Sequence, residues 1–260
     1  MISIKSQTEL ELMGQAGKIV SLIIEELSRI AGAGISTYAL DKKAAELFEK
    51  YGAKSAFKNY RGFPGNICTS INEELIHGIP SKKRILKEGD ILSVDIGANF
   101  KGFFADAAVT VPIGRISDEA KRLIETTKES LFVGIVAAGC NTHLSDVSCA
   151  IQSHVEAKGF SVVKEFVGHG IGALMHEEPE IPNYGRPGHG PVLKNGMTLA
   201  IEPMVNAGTS EVAILSDGWT VVTRDEKLCA HFEHTICIAN DHPRILTDFN
   251  LSEDIPIMSG

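Results

Sequence analysis

The sequence has few cysteines and no long hydrophobic run. Its five cysteines are an odd number without a CxxC pair, which argues against a disulfide framework and a zinc ribbon. The most apolar early stretch, residues 19–27, contains Glu25 and Glu26 and is far shorter than the ~20 residues of a membrane span. The N-terminus also lacks the cationic start and cleavage site of a signal peptide. We therefore expect a cytoplasmic protein that does not enter membranes.

Positive charge and familiar hydrolase motifs are also scarce. The chain carries 33 acidic and 25 basic residues and a net charge of -8. Because nucleic-acid affinity depends on Lys and Arg that neutralise phosphates, this balance argues against nucleic-acid specificity. Neither GxSxG nor HExxH occurs, which disfavours a serine hydrolase and gives no support to a zincin. The remaining composition is that of a soluble globular enzyme.

The hydrophobic pattern predicts helices and strands in two successive rounds. Apolar residues at spacings of three and four predict a helix over residues 9–30, with Ser6, Gln7 and Thr8 as candidate N-caps. Further helices are predicted over residues 38–51, after Ser117, and from Thr142 to near Gly159. Short β-rich runs predict strands over residues 91–96, 107–111, 162–167, 198–201, 212–215, 219–223 and 232–238. This mixture favours an α+β fold.

Two parts of the chain resemble each other. Residues 87–95 (KEGDILSVD) match residues 194–202 (KNGMTLAIE) at a constant offset, and each segment ends in a carboxylate. Glycine, threonine and aspartate also recur at one spacing, as Gly34, Thr37, Asp41 and Gly139, Thr142, Asp146. The two matches indicate a duplicated α/β half. A pseudo-twofold arrangement would bring the carboxylates that end the matched segments, Asp95 and Glu202, towards a common axis.

No linker rich in Pro, Gly or Ser separates these halves. We therefore expect a single catalytic domain of residues 1–260, with an internal repeat of roughly residues 8–115 and 118–240.

Asp95 and Asp106 flank a turn-forming segment, residues 97–102. A hairpin centred between Phe100 and Lys101 would make the two aspartates direct cross-strand partners on one face, with Cα atoms ~4.5 to 5.5 Å apart. Two carboxylates this close repel each other unless a cation lies between them or one is protonated. Because their neighbours are apolar, metal binding is favoured over exposure to solvent.

Three further segments carry candidate ligands. Glycines on both sides of His169 let the backbone approach a ligand closely, and His176 follows in the same segment. Glu202 ends one apolar strand and Glu233 lies in another. Each is ambiguous by itself, because a glutamate at a strand end can face solvent. Together with the two aspartates, however, they give four carboxylates, which would balance the charge of two divalent cations.

These segments carry a family resemblance. They are His77, Asp95 with Asp106, Gly-His169-Gly-Ile-Gly with His176, Ile201-Glu202-Pro203-Met204, and Phe232-Glu233-His234-Thr235. Over about residues 3 to 248, the chain resembles the type I methionine aminopeptidases in their short bacterial form. The resemblance implies the pita-bread fold, in which two pseudo-symmetric α/β halves surround a central curved antiparallel sheet with helices outside. It implies removal of the initiator methionine, with preference for a small second residue.

The resemblance also implies ligand and catalytic roles. Asp106 and Glu233 would bridge two metal ions, Asp95 would complete one site, and His169 and Glu202 the other. Glu202 would accept a proton from a metal-activated water. His176 would stabilise the developing oxyanion, and His77 would contact the scissile amide. The oxygen-rich ligand set favours Mn, Fe or Co over a structural zinc site, although zinc remains among the expected divalent ions.

A methionine pocket is implied by the same resemblance. Its expected lining is Tyr60, Phe63, Cys68, Met175 and Trp219, with His77 and His176 at the substrate. Relatives often carry Cys at the position of Phe57 and His at the position of Arg61, so this chain departs from the family at the pocket. The expected partners are nascent polypeptide N-termini and the ribosome surface, and the expected state is a monomer.

Two alternatives remain open. A proline-directed peptidase of the same fold, such as prolidase or aminopeptidase P, would share the metal ligands. A binding protein that has kept the fold without catalysis is the second alternative, although the full ligand set argues against it. The other histidines are interpreted as structural, namely His143, His154, His189, His231, His234 and His242.

Overall fold

The computed structural model describes residues 2–249, so residues 1 and 250–260 of the predicted single domain lie outside the described part. The helices are α1 Gln7–Ile30, α2 Thr37–Lys50, α3 Asp118–Ala137 and α4 Leu144–Ala157, with a short 3-10 helix at Tyr60–Gly62. The strands are β1 Lys54–Ser55, β2 Cys68–Ile71, β3 Glu74–Ile76, β4 Ile91–Phe100, β5 Phe103–Pro112, β6 Ser161–Val162, β7 Gly168–Gly170, β8 Glu177–Ile181, β9 Thr198–Ile201, β10 Met204–Asn206, β11 Val212–Ile214, β12 Val221–Thr223, β13 Cys229–His231, β14 Glu233–Cys237 and β15 Arg244–Ile245.

All four predicted helices are confirmed. Ser6 is the N-cap of α1, where its side chain accepts a hydrogen bond from the Glu9 amide while the Glu9 carboxylate accepts one from the Ser6 amide. This capping box satisfies two amides that the helix itself leaves without partners. The apolar face of α1 packs against β4 and β5. Among residues 2–249, no helix combines the length and hydrophobicity that a membrane span requires.

The centre of the fold is a nine-stranded antiparallel sheet. Its main path is β1-β4-β5-β14-β9-β7-β8, with β2 paired to β4 and β15 paired to β14. Six of the predicted strands are confirmed, but the prediction for residues 162–167 is wrong. Only Ser161–Val162 forms a strand there, and the chain then turns before β7 begins at Gly168. The Gly-His-Gly segment at residues 168–170 forms β7, which lies between β9 and β8 in the sheet.

The two halves are related by a shift of 107 residues. Helix α4 begins and ends 107 residues after α2, and the isolated bridge between Ser36 and Ile85 recurs at the same distance between His143 and Val192. Asp95 and Glu202 obey this shift as well. The matching of Gly34, Thr37 and Asp41 to Gly139, Thr142 and Asp146 is therefore wrong by two residues, since Thr37 corresponds to Leu144. The helices and the bridges of the two halves thus correspond at one constant offset.

Candidate metal centre

Five neighbouring strands of the central sheet each place one candidate ligand at the same site. In sheet order, they carry Asp95 on β4, Asp106 on β5, Glu233 on β14, Glu202 just after β9 and His169 on β7. Candidate ligand atoms of Asp106, His169 and Glu233 lie within 4.8 Å of one another, and all three residues are buried. Asp95 and Glu202 line the same cavity. The sheet therefore brings all five predicted ligands together.

The hairpin register differs from the prediction. Phe100 pairs with Phe103, so the turn is Lys101-Gly102, and both turn residues have positive φ. Glycine adopts that backbone conformation at little cost, which fits its place in a two-residue hairpin turn. Asp95 therefore pairs with Ala108, and Gly97 pairs with Asp106. The predicted direct pairing of the two aspartates is wrong, but they lie two residues apart in register and remain on one face.

Small side chains between the ligands leave room for an ion. Ala108 pairs with Asp95 on one side and with Glu233 on the other, so its methyl group lies between two carboxylates. Ala200 likewise pairs with both His169 and Thr235. Because side chains along such a row point to the same face, a larger residue at either alanine would fill the space between the ligands.

The glycines beside His169 are required by neighbouring strands. A Cβ on Gly168 would lie 2.4 Å from the Ala200 carbonyl oxygen, and one on Gly170 would lie 2.2 Å from the Glu178 carbonyl oxygen. Such distances exclude any side chain at these two positions unless the backbone shifts. The Gly-His-Gly sequence therefore lets β7 approach both of its partner strands while His169 alone projects a side chain into the site.

The protonation of His169 indicates a cation site. Its Nδ1 lies 2.9 Å from the Gly170 carbonyl oxygen, which only accepts hydrogen bonds, so Nδ1 carries the hydrogen. The lone pair of the neutral ring is then on Nε2, which lies 3.8 Å from Oδ2 of Asp106 and 3.6 Å from Oε1 of Glu202. Electron-rich atoms that face one another in this way are stabilised by a cation between them.

Two unsatisfied oxygen atoms strengthen this interpretation. Oδ1 of Asp95 and Oε1 of Glu233 are buried, and neither has a hydrogen-bond partner among the described residues. Buried carboxylate oxygens are costly without a partner of positive charge. The residues present therefore fit divalent metal ions, with carboxylate oxygens as the majority of the ligands and one imidazole.

Burial shifts the pKa values of the ligand carboxyls upwards. Loss of hydration raises the pKa of Asp106 to about 6. The pKa values of Asp95, Glu202 and Glu233 also lie well above their usual range, first because of burial and then because of the neighbouring carboxylates. Without a cation, burial and mutual repulsion favour the protonated forms of these acids, whereas a bound cation favours the ionised forms.

A cavity of about 180 Å³ opens above these ligands. Its walls contain every residue predicted for substrate binding, namely Tyr60, Phe63, Cys68, His77, Met175, His176 and Trp219. Phe63 and Trp219 meet edge to face with ring centroids 5.2 Å apart. Pockets for drug-sized ligands measure about 300 to 1,000 Å³, so this cavity suits a single amino acid side chain.

Two histidines, His77 and His176, line the cavity. The Oη atom of Tyr60 is 2.8 Å from Nδ1 of His176, and the His176 ring lies 4.3 Å from that of His169, centroid to centroid. His77 contacts Trp219 edge to face. Loss of hydration lowers the pKa values of both His77 and His176 to about 4, so both rings are neutral at pH 7. A neutral ring retains one N–H that can donate to a substrate oxygen.

The structure places several further residues at the site for which the sequence predicted no functional role. Phe57 and Arg61, noted only as departures from the family, both line the cavity. Thr235 hydrogen-bonds the main chain of Asp106 and so joins β14 to β5. His231, interpreted as structural, lies against Glu202. The alternation of strand residues could have identified Thr235, since it lies two positions after Glu233 on the same face.

Comparisons with known proteins agree with this geometry. A profile of metallopeptidase family M24 matches residues 11–240. The methionine aminopeptidase of Clostridium acetobutylicum is 55% identical over 95% of this chain and 99% of its own length. Methionine aminopeptidase 1 of Bacillus subtilis is 54% identical over the same shares of the two chains.

Solved structures give the fold. Methionine aminopeptidase from Thermotoga maritima matches with a TM-score of 0.94 at 46% identity, covering 95% of this chain and 100% of that one. Prolidase from Pyrococcus furiosus matches with a TM-score of 0.78 at 22% identity, covering 95% of this chain and 66% of the prolidase, which indicates a shared fold alone. The expected α+β pita-bread fold is confirmed. With a family profile that matches most of its length, the chain belongs to metallopeptidase family M24.

Proposed function

We propose that this chain is a metal-dependent aminopeptidase that removes the N-terminal methionine from newly made proteins and peptides. The observation that carries the proposal is the convergence of five candidate ligand side chains at a cavity of about 180 Å³ with an aromatic and sulfur-containing wall. Relatives named methionine aminopeptidase that are 40 to 55% identical over 93 to 95% of the chain support the same activity.

Two divalent ions would be held by Asp95, Asp106, His169, Glu202 and Glu233. Four ionised carboxylates would balance the four positive charges of such a pair, which a buried site needs. When bound, the ions supply Lewis acidity that activates a water and polarises the scissile carbonyl. Manganese, iron and cobalt suit this oxygen-rich set, and zinc is an alternative.

Three side chains of the protein would move the proton and contact the substrate. Glu202 lines the cavity and its pKa is raised by burial, so it is suited to accept a proton from the attacking water. His176 is neutral and faces the cavity, where its N–H would donate to the carbonyl oxygen as negative charge develops there. His77, which lines the cavity beside Trp219, would contact the scissile amide.

The cavity wall would select methionine. Phe63, Cys68 and Met175 are almost fully buried and form an apolar surface for a thioether side chain. Because the cavity holds one side chain, the second residue of a substrate would lie at the opening, beside Tyr60 and Arg61. A large second side chain would meet these two residues, so we propose a preference for small ones.

A peptide panel tests this function directly. The purified chain should release methionine from Met-Ala-Ser but not from Met-Leu-Ser, and it should leave Xaa-Pro peptides intact. Chelation should abolish the activity, and added Mn²⁺ or Co²⁺ should restore it. Cleavage of Xaa-Pro peptides would instead favour a prolidase-like enzyme, and stable binding of peptides without cleavage would favour a binding protein.

The proposed setting is the cytoplasm, where the N-termini of nascent chains become accessible near the ribosome surface. We propose a monomer, since the five ligands and the cavity wall all come from one chain. Light scattering of the purified protein checks the monomer, and co-sedimentation with ribosomes checks the association. Fluorescence microscopy of the protein fused to a fluorescent protein would test the proposed cytoplasmic location.

A further inference from the structure

His231 is a buried imidazole behind the proposed metal centre. It ends strand β13 and only 2% of its surface is exposed. Nδ1 and Nε2 are both buried, and neither makes a hydrogen bond among the described residues. Its Nε2 lies 3.5 Å from Oε2 of Glu202. Polar groups in protein interiors are seldom left without partners, so the proximity of these two side chains calls for an explanation.

The backbone around His231 holds its ring beside Glu202. The His231 amide donates to Oγ1 of Thr110, and the same hydroxyl donates to the His231 carbonyl oxygen, each at 2.9 Å. His231 also pairs with Met204, two residues beyond Glu202 in the chain. Because these contacts fix both segments, a small rotation of either side chain brings Nε2 and Oε2 to hydrogen-bond distance.

The other oxygen of Glu202 faces the proposed metal ligands. Oε1 lies 3.6 Å from Nε2 of His169, so the Glu202 carboxylate is located between two imidazoles. His231 is absent from the residues that line the cavity, and therefore it contacts Glu202 without reaching the substrate space. A carboxylate that accepts a hydrogen bond on one oxygen is held with its second oxygen in a defined direction.

We propose that His231 is a positioning residue for Glu202. Its Nε2–H donates to Oε2 and holds Oε1 towards the site formed with His169. The proposal rests on the proposed function, because it assumes that Glu202 is a ligand of the metal ions. Groups that support metal ligands in this way typically change metal affinity or activity by about 10- to 100-fold when they are removed.

Three substitutions of His231 distinguish the effect of its hydrogen bond to Glu202 from the effect of its packing. In His231→Gln, the amide nitrogen takes the approximate place of Nε2 and retains the donor. In His231→Asn, the shorter amide takes the place of Nδ1 and leaves Glu202 without a donor. His231→Leu removes the donor while keeping a similar volume. Glutamine should therefore preserve function, whereas asparagine and leucine should not.

Titration of Mn²⁺ into the metal-free proteins by calorimetry provides the test. We expect His231→Leu and His231→Asn to bind Mn²⁺ about 10- to 100-fold more weakly and His231→Gln to bind within about threefold of the unaltered chain. The visible spectrum of Co²⁺ bound to each protein should change in the same order. Circular dichroism checks that each variant folds, and if the leucine variant does not, the pair of amide variants carries the comparison.

Two outcomes would overturn the positioning role. One is Mn²⁺ binding by the asparagine and leucine variants within threefold of the unaltered chain. The other is an equal loss in all three variants, because packing would then explain the effect. If the unaltered chain itself bound no Mn²⁺, the proposed metal centre would be wrong, and this result is distinct from both.

Discussion

The first half of the chain carries Asp95 and Asp106 on one hairpin, whereas the second half gathers His169, Glu202 and Glu233 from three separate strands. The hairpin is formed by two ten-residue strands and a two-residue turn, so its ligands are brought together by local pairing. The second set depends on β9 pairing with both β7 and β14 over long sequence distances. The same sheet face is thus built locally on one side and by long-range contacts on the other.

This difference has consequences for stability. Local hairpins form with little loop-closure entropy, while pairing between distant strands must overcome more of it. We expect ligands of the second half to be the more sensitive to changes in strand packing. Both halves should be equally sensitive to loss of a ligand itself, because the charges act together on the ions.

Loss of one ligand from each half should have the largest effect. Asp106→Asn and Glu233→Gln should each lower kcat/KM by more than about 100-fold, since even removal of supporting groups reaches that size. The metal-free Asp106→Asn protein should also unfold at higher temperature, because a buried acid that resists ionisation has been replaced by a neutral amide. Activity assays and thermal unfolding measure both effects. If either variant retained full activity, the substituted residue would not be a metal ligand.

Glycine substitutions compare the local and long-range halves directly. Gly168→Ala places a Cβ 2.4 Å from the Ala200 carbonyl oxygen and should destabilise the protein by about 3 kcal/mol. Gly102→Ala meets open space at the hairpin turn, and its positive φ should cost about 1 to 2 kcal/mol. Urea unfolding of the metal-free proteins measures the difference. A greater loss in Gly102→Ala would mean that the hairpin, rather than the β7–β9 pairing, limits the stability of the site.

Metal binding should strengthen as the pH rises. Burial raises the pKa of Asp106 to about 6 and raises those of the other three acids, so ions must displace protons from the metal-free site. Each displaced proton gives about a tenfold gain in affinity per pH unit. Because folding favours the protonated form of Asp106, the free energy of unfolding of the metal-free protein should fall as the pH rises through about 6. Calorimetry in buffers with different ionisation enthalpies counts the released protons, and a count of zero at pH 6 would contradict the shift.

Much of the local half was predictable from sequence, and the long-range half only in part. The turn near Gly102 and the face shared by Asp95 and Asp106 follow from strand alternation, although the register was wrong by two residues because Asn99 and Gly102 both suit a turn. Nothing in the local sequence of His169 indicates a strand. Its flanking glycines are explained only by the carbonyl oxygens of β8 and β9, which come from later in the chain. The contact between His231 and Glu202 could not be predicted from local sequence, because Glu202 follows β9, much earlier in the chain.

Thr235 joins the two halves, because its side chain hydrogen-bonds the main chain of Asp106. Its substitution should have the smallest of the expected effects. Its Oγ1 accepts from the Asp106 amide at 3.0 Å and lies 2.8 Å from the Asp106 carbonyl oxygen, to which it donates. Thr235→Val keeps the shape and leaves both main-chain groups unpaired, so it should cost about 2 kcal/mol of stability. Thr235→Ser keeps the hydroxyl and should lose less. Because Asp106 is displaced only slightly, activity should fall by a smaller factor than in Asp106→Asn. Denaturant unfolding and kcat/KM of the two variants measure these effects, and equal stability of valine and serine proteins would show that the halves are held together without this hydroxyl.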